Sequence, residues 1–173
     1  EVLFTLKPYG NSFTGAVRVA TGDVNGDGVP DIITAPGAGS GGTGVVMGVR
    51  VFNGVNGNAL SGVLGSGIRP FGTSYTGGIQ VAAGDLNGDG KADIITGADT
   101  ASTTNQVKTF NGVNGTQFTS WFGNIKPYTG TAFGGVRVAA GDVNGDGRAE
   151  IITAPGAGVP TVRVYNPTAA TVT

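Results

Sequence analysis

The stretch that decides the fold is Gly22-Asp23-Val24-Asn25-Gly26-Asp27-Gly28. The same order of glycine, aspartate and asparagine returns at 84–90 (Gly-Asp-Leu-Asn-Gly-Asp-Gly) and at 141–147 (Gly-Asp-Val-Asn-Gly-Asp-Gly). Counted between their first aspartates, consecutive copies are 62 and 57 residues apart. A period of this length indicates a chain built from repeated structural units.

Each copy of this stretch has the same neighbours along the chain. An alternation of apolar and polar residues precedes it, a β-branched run follows it, and a second alternation comes later. A more aromatic fourth segment ends in a basic residue, a proline and an aromatic residue. No stretch has an apolar period of helical length. Each repeat therefore contains four short strands, in the first repeat at 16–20, at 32–34, at 49–52 and before Arg69-Pro70-Phe71.

Four short strands in about 60 residues are the unit of a β-propeller blade. A β-sandwich is the alternative for many short strands, but it does not account for three near-identical units of four. The 34 glycines among 173 residues fit tight turns and close contacts between neighbouring blades. We therefore predict an all-β protein, a β-propeller of four-stranded blades with three blades in the chain.

The repeat begins out of phase with the chain. Lys7-Pro8-Tyr9 matches Lys126-Pro127-Tyr128, so the chain opens on a fourth-strand segment, whereas the third repeat has only a weak tail where its fourth strand belongs. The predicted boundaries are 1–10 for a strand that closes a neighbouring blade, 11–71 for blade 1, 72–128 for blade 2 and 129–173 for blade 3, which lacks its own outer strand.

Three blades are too few for a ring, because propellers typically have 4–8. Two copies placed head to tail would give six blades, with residues 2–9 of each copy completing the third blade of the other. Closed two-fold assemblies are the commonest oligomers. The sequence thus predicts half of a six-bladed ring and a homodimer. The alternative is a piece of a longer propeller whose phase has no structural meaning.

Each repeated stretch begins a nine-residue loop of the form D-x-N-x-D-G-x-x-[DE]. Positions 1, 3, 5 and 9 carry side-chain oxygens, position 6 is a glycine that permits a sharp turn, and position 7 offers a backbone carbonyl. Calcium takes six to eight hard oxygen ligands in a forgiving geometry. We predict three calcium ions per chain, bound by Asp23, Asn25, Asp27, Val29 and Asp31, by Asp85, Asn87, Asp89, Lys91 and Asp93, and by Asp142, Asn144, Asp146, Arg148 and Glu150.

The distribution of acidic residues supports calcium over a mere turn-forming role. Nine of the eleven Asp and Glu residues stand at loop positions 1, 5 and 9, and only Glu1 and Asp99 lie elsewhere. Carboxylates that converge in one short loop repel one another unless a cation intervenes. An EF-hand would need Glu at position 12 and flanking helices, and magnesium rarely takes a dedicated protein cage.

The composition excludes several classes of function. The chain has no Cys and no His, which rules out zinc sites built on thiolate or imidazole and any mechanism with a histidine base. The net charge of -1 gives no basic surface for nucleic acid, and no apolar run is long enough to span a membrane. With Glu1 and Asp99 as the spare carboxylates, a glycosidase pair is not expected, and we predict no enzymatic activity.

These residues resemble the FG-GAP repeat of integrin α-subunit propellers and the related VCBS-type repeats of bacterial surface and secreted proteins. Phe133-Gly134-Gly135 fits the aromatic-glycine opening of the pattern, the three loops fit its centre, and Thr34-Ala35-Pro36-Gly37 fits its closing turn. Glu150 and Gly97-Ala98-Asp99 depart from it. The resemblance implies a propeller with calcium in the hairpin between the first two strands of each blade, in an extracellular or cell-surface setting.

The resemblance leaves the function open among several classes. A module for adhesion or for binding a protein or glycan is our first interpretation, with recognition by the loops before each third strand, at 37–48, 100–105 and 156–160. A purely structural repeat, or a designed scaffold without a ligand, is the alternative. A lectin-like module would use exposed aromatic residues, but Tyr9, Phe71 and Tyr128 also suit packing between blades.

Overall fold

The computed structural model describes residues 1–38, 48–99, 106–129 and 133–169. It contains three antiparallel sheets and very little helix, which confirms the predicted all-β fold of three propeller blades. The strands are β1 (Val17–Gly22), β2 (Asp31–Pro36) and β3 (Arg50–Phe52) in blade 1, β4 (Ile79–Gly84), β5 (Asp93–Ala98), β6 (Val107–Phe110) and β7 (Asn124–Ile125) in blade 2, and β8 (Val136–Gly141), β9 (Glu150–Pro155) and β10 (Arg163–Tyr165) in blade 3.

The three blades share one register. In each blade the first two strands form a hairpin of six residue pairs, which ends at Gly22 opposite Asp31, at Gly84 opposite Asp93 and at Gly141 opposite Glu150. The third strand then pairs with the second on its other side. The first strands β1, β4 and β8 contact one another in sequence, so they form the inner side of the arc of blades.

The fourth segment of each blade departs from the predicted strand. In blade 2 it contains only the two-residue β7, and in blade 1 only isolated bridges, among them Val49 opposite Ile68. Short helical turns precede these pairings, α1 (Gly62–Ser66) and a 3-10 turn at Trp121–Gly123. Both turns are tight, because a Cβ on Gly65 or Gly123 would lie within 2 Å of a backbone oxygen.

The hydrophobic core lies between blades. One cluster joins Val24, Val49 and Val51 of blade 1 to Ile79 and Ile94 of blade 2. A second cluster repeats this arrangement between blades 2 and 3, from Leu86, Ile95 and Val107 to Val136 and Ile151. Because each cluster is formed by the facing sides of two neighbouring blades, the packing of neighbouring blades, rather than any single sheet, buries most of the apolar surface.

A backbone hydrogen bond also links consecutive blades at the level of the loops. The N–H of Ala92 donates to the carbonyl of Asp23 at 2.7 Å, and the N–H of Ala149 donates to the carbonyl of Asp85 at 2.7 Å. The residue of blade 1 that corresponds to Ala92 and Ala149 is Pro30, which has no N–H to donate. Blade 1 therefore cannot make this bond to a blade placed before it.

Two of the three aromatic residues that end the basic-proline-aromatic triplets are buried. The hydroxyl of Tyr9 donates to the Gly48 carbonyl at 3.0 Å, and the hydroxyl of Tyr128 donates to the Thr161 carbonyl at 2.9 Å. Phe71 is partly buried against the core between blades 1 and 2. Phe71 and Tyr128 pack in the cores between blades, Tyr9 is buried against blade 1, and neither tyrosine is a sugar-stacking platform.

The predicted blade boundaries remain a prediction. Residues 1–7 form no strand in the chain, and β10 is an edge of its sheet in the described residues. Of the three predicted recognition loops, 156–160 is an exposed bend, whereas most of 37–48 and all of 100–105 lie outside the described residues.

Candidate metal centre

The three acidic loops occupy the same place in each blade, between the first and second strands. Positions 4 and 6 of each loop are glycines with positive φ, for example 79° at Gly26 and 84° at Gly28. Residues with a side chain rarely adopt this conformation, so the two glycines allow the chain to turn back within a few residues. The loop therefore wraps its own polar side chains around its centre.

The position 1 aspartate organises the turn by accepting backbone N–H groups. Asp23 accepts from Gly26 at 2.7 Å and from Asp27 at 3.1 Å through one oxygen, and from Gly28 at 2.8 Å through the other. Asp85 and Asp142 make the same three contacts in their loops. One residue type thus fixes the loop conformation identically in all three blades.

The position 9 carboxylate is buried and joins the loop to the next hairpin. Asp31 accepts from the N–H of Val24 at 3.1 Å and from the N–H of Gly54, after β3, at 3.1 Å. Asp93 makes the equivalent contacts with Leu86 at 3.0 Å and Gly112 at 2.9 Å. Gly54 and Gly112 must be glycines, because a Cβ there would lie 2.0 Å from the carbonyl oxygen of loop position 8.

The asparagine at position 3 lies between the remaining carboxylates. The amide nitrogen of Asn25 donates to Asp27 at 2.9 Å and to Asp31 at 3.3 Å. In the third loop Asn144 donates to Asp146 at 3.1 Å and to Glu150 at 2.7 Å. The oxygens of positions 5 and 9 therefore face a common point in the first and third loops, and a hydrogen-bond donor occupies that point.

The comparison with known families identifies the repeat. A family model described as the FG-GAP repeat matches residues 15–47, 77–115 and 134–171, each of which contains one acidic loop. The chain belongs to the FG-GAP repeat family. The matched ranges cover more than half of the chain, and the resemblance inferred from the loop residues is confirmed. No curated protein matches the chain.

Within each FG-GAP loop the predicted metal ligands are brought together only in part. Among the described residues, no three acidic side chains form a group that could hold a metal ion as they stand. The position 1 aspartate faces backbone amides, and the position 7 residues Val29, Lys91 and Arg148 donate their N–H groups to the position 5 carboxylate at 2.9 Å. Coordination by these three carbonyls stays a prediction.

The carboxyl groups of the loops differ in acidity because their surroundings differ. Backbone and amide hydrogen bonds hold the pKa of Asp27 and of Asp146 below the ordinary value. Asp93 behaves in the opposite way, because burial, assisted by the charges of Asp89 and Asp85, raises its pKa to about 6. The second loop therefore contains an anion that its surroundings disfavour and that a bound cation would favour.

Two features of the third loop compensate each other. Its position 9 is Glu150 instead of aspartate, and the residue that corresponds to Gly54 and Gly112 is Pro167, which has no N–H. Glu150 still accepts from the N–H of Val143 at 2.9 Å and from the Asn144 amide. The longer side chain therefore occurs in the loop whose position 9 carboxylate receives no N–H hydrogen bond from the residue that corresponds to Gly54 and Gly112.

One further residue of the FG-GAP repeat reaches the loop in blades 1 and 3 and was not predicted from the sequence. The asparagine that follows the third strand hydrogen-bonds the position 5 carboxylate, Asn53 to Asp27 at 3.1 Å and Asn166 to Asp146. Its own oxygen accepts from the turn that follows, for example from Val55 at 3.0 Å. The signal in the sequence is an aromatic residue followed by asparagine at the end of each third strand.

The raised pKa of Asp93 predicts an unusual pH dependence for the calcium-free chain. The folded pKa is about 6 against an ordinary 3.8, so the folded state binds a proton more tightly than the unfolded state. The stabilisation is complete below the ordinary pKa and is lost as the pH rises through about 6. We expect the unfolding free energy to increase by about 1–2 kcal/mol between about pH 7.5 and about pH 5.

Chemical denaturation in calcium-depleted buffer would measure this increase. Asp93→Asn is the control, since it removes the titrating group and should flatten the profile over the same interval. A wild-type profile that is flat, or that falls steadily on acidification above pH 5, would contradict the prediction.

Asp99, one of the two carboxylates outside the loops, ties the three blades together. Its oxygens accept from Arg18 of blade 1 at 2.9 Å, from Gln80 of blade 2 at 2.6 Å and from Arg137 of blade 3. Burial acts to raise its pKa, but these hydrogen bonds outweigh burial and lower it. Arg18, Gln80 and Arg137 hold the same position in the three first strands. These contacts need a carboxylate at position 99, which explains why Gly97-Ala98-Asp99 differs from the Ala-Pro-Gly turn of the other two repeats.

Proposed function

We propose that this FG-GAP chain is a calcium-stabilised, non-catalytic β-propeller module for extracellular binding or adhesion. The observation that carries the proposal is the repeated loop, in which one asparagine amide holds a buried position 9 carboxylate and a position 5 carboxylate by the same contacts in blades 1 and 3. Such a concentration of oxygens is the chemistry that calcium prefers.

The loop residues fit a calcium ion in their chemistry. Each loop offers three carboxylates, one amide oxygen and one backbone carbonyl, at positions 1, 5 and 9, at position 3 and at position 7. The donor that now lies between the carboxylates is an amide whose other atom is an oxygen, so the same side chain is able to serve a cation. Bound calcium would neutralise the carboxylates, including the disfavoured anion at Asp93, and would join the loop to the hairpin that follows.

The absence of catalysis is supported by the state of the spare carboxylate. Asp99 is buried and engaged by two arginines, so it is held as a structural anion rather than as a proton donor near neutral pH. Glu1 is exposed at the chain end. FG-GAP propellers are generally not enzymes, and outside the loops the sequence contains only Glu1 as a second carboxylate.

An extracellular or cell-surface setting follows from the calcium requirement, because calcium is millimolar there. None of the helices in the described ranges is long and apolar enough to cross a membrane. The partner class we propose is a protein or glycan bound by the loops before the third strands. A glycan array would separate a lectin-like module, which gives consistent hits, from a scaffold without a small ligand.

The proposal also includes self-association. Two copies of the three-bladed arc, placed head to tail, would form a six-bladed ring, which lies within the range of 4–8 blades usual for propellers. Light scattering in calcium tests this arrangement, and we expect a particle of about twice the chain mass of 17.1 kDa. A monodisperse monomer would exclude the ring.

The calcium stoichiometry tests whether the three loops bind calcium. Isothermal titration should find three calcium ions per chain, and Asp85→Asn should reduce this number to two, since it removes a ligand from the second loop alone. Glu1→Gln is the matched control, because it removes an acidic group outside the loops and should leave the number at three. Equal stoichiometry in the three proteins would refute calcium binding by the loops.

A further inference from the structure

The two ends of the arc expose apolar faces whose counterparts are buried inside it. On blade 1, Val19 is 67% exposed, whereas the corresponding Val81 of blade 2 is 8% exposed. On blade 3, Val162 is 65% exposed, whereas the corresponding Val49 of blade 1 is fully buried. We name these surfaces the leading face, formed by Val17, Val19 and Val29, and the trailing face, formed by Val143, Val162 and Val164.

The two faces have the composition of the two halves of an inter-blade core. In blade 1 the residues that correspond to the trailing face are Val24, Val49 and Val51. In blade 2 the residues that correspond to Val17 and Val19 are Ile79 and Val81. These two sets pack in one core cluster. A leading face therefore fits a trailing face, by the packing seen twice within the chain. Isolated apolar patches of this kind mark interaction surfaces.

The outer edge of the third strand is paired in blades 1 and 2. In blade 1 the N–H of Val49 donates to the carbonyl of Ile68 at 2.8 Å, and the N–H of Ile68 donates back at 2.9 Å. In blade 2 Val107 lies opposite Ile125. The corresponding residue of blade 3 is Val162, and no described segment pairs with the outer edge of its strand. An unpaired edge next to an apolar face accepts a further strand readily.

The segment before Tyr9, although not a strand in the chain by itself, lies where the fourth segment of a preceding blade would lie. Phe4 and Leu6 lie beside Gly57 of blade 1, as Leu64 and Ile68 of blade 1 lie beside Gly115 of blade 2. The carbonyl of Pro8 accepts from Arg50, as the carbonyl of Pro127 accepts from Arg163 at 2.5 Å. By this correspondence Leu6 is the counterpart of Ile68 and Ile125.

We propose that the leading face of one copy of the chain binds the trailing face of another, with Leu6 of the first copy opposite Val162 of the second in an antiparallel pair. This joint completes blade 3 with a strand from the second copy and buries Val19 against Val143 and Val164. It rests on the ring in the proposed function and specifies the surfaces, the register and the residues that would close it.

The trailing side of blade 3 has room for the partner. Inside the arc, a Cβ on Gly22 or Gly84 would lie 2.6 Å from an alanine of the next blade, whereas a Cβ on Gly141 would meet nothing within 4 Å. The space beside Gly141 is therefore open for Pro30 of a second copy, the residue that takes the place of those alanines. Strand pairing and apolar contact hold this joint, without the loop-to-loop hydrogen bond of the internal joints.

A disulfide tests the register directly, because the unmodified chain contains no cysteine. Residues directly opposite in an antiparallel pair have Cα atoms about 5.5 Å apart, a distance that a disulfide spans. In calcium and a mild oxidant, Leu6→Cys combined with Val162→Cys should migrate as a covalent dimer on a non-reducing gel. We expect at least about tenfold more covalent dimer than for Thr5→Cys with Val162→Cys, whose side chains point to opposite faces.

An internal pair shows whether such bonds form at all. Val49→Cys with Ile68→Cys should lose its free thiols within one chain, because these residues are already opposite each other. If this bond forms and the Leu6→Cys, Val162→Cys variant stays monomeric, the proposed joint is wrong, and the end faces belong to another partner or to further blades. A ladder of covalent oligomers would support the joint and overturn closure by two copies. The result is independent of the calcium stoichiometry.

Discussion

Removal of calcium is expected to lower the unfolding free energy of the chain by about 4 kcal/mol. With a dissociation constant on the order of 0.1 mM and about 1 mM calcium, mass action gives roughly 1.4 kcal/mol for each of three loops. For a chain of this size that loss corresponds to a fall in melting temperature of roughly 8–16 °C. Calcium acts on folding at these sites because every loop closes the first hairpin of a blade and, in blades 1 and 2, contacts the turn after the third strand.

Thermal melts in about 1 mM calcium and in excess EGTA would measure the effect. The matched control carries Asp23→Asn, Asp85→Asn and Asp142→Asn, which remove one ligand from every loop. Its melting temperature should be the same in both buffers. Melting temperatures of the natural chain that agree in calcium and EGTA would contradict a stabilising role for the metal.

A charge placed in an inter-blade core is expected to unfold the chain, whereas the same charge on the trailing face is not. Val51 and Val164 are the same residue at the same position of the third strand, opposite Ile33 and Ile152. Val51 is fully buried and Val164 is 53% exposed. Val51→Asp would bury an unpaired carboxylate and cost about 4 kcal/mol or more, enough to unfold a marginally stable domain.

Circular dichroism and chemical denaturation distinguish the two variants. Val164→Asp should keep the sheet signal and lose less than about 1 kcal/mol as a monomer, since its carboxylate stays in water. In light scattering the same variant should be monomeric, because it places a charge in the proposed joint. An equal loss of stability in both variants would show that the end face is already covered within the chain.

The loop and the first hairpin of each blade could be predicted from the sequence because their chemistry is local. The turn is determined within nine residues by two glycines with positive φ and by one aspartate. This aspartate accepts from the N–H groups of the residues three, four and five positions after it. The turn sets the hairpin register, so Gly22 opposite Asp31 follows from the loop. The two repetitions of the pattern then make the blade arrangement recognisable.

The features that could not be predicted depend on residues distant in sequence. The helical turn before Ile68 exists because Gly65 lies against the Leu60 carbonyl, a contact that no period in the sequence reveals. The role of Asp99 depends on arginines 81 and 38 residues away, in two other blades. The glutamate at position 150 is explained only by Pro167, which lies in the turn after the third strand and has no N–H to donate.

Pro30 has a mechanical consequence for a ring of two chains. Between the blades of one chain, the loops are linked by hydrogen bonds from Ala92 to Asp23 and from Ala149 to Asp85. At the two joints between chains the corresponding donor is missing, because proline has no N–H. Under tension such a ring would split along these two seams into intact halves, instead of unravelling blade by blade. The halves could close again, so that the load a partner applies would be released without unfolding the protein.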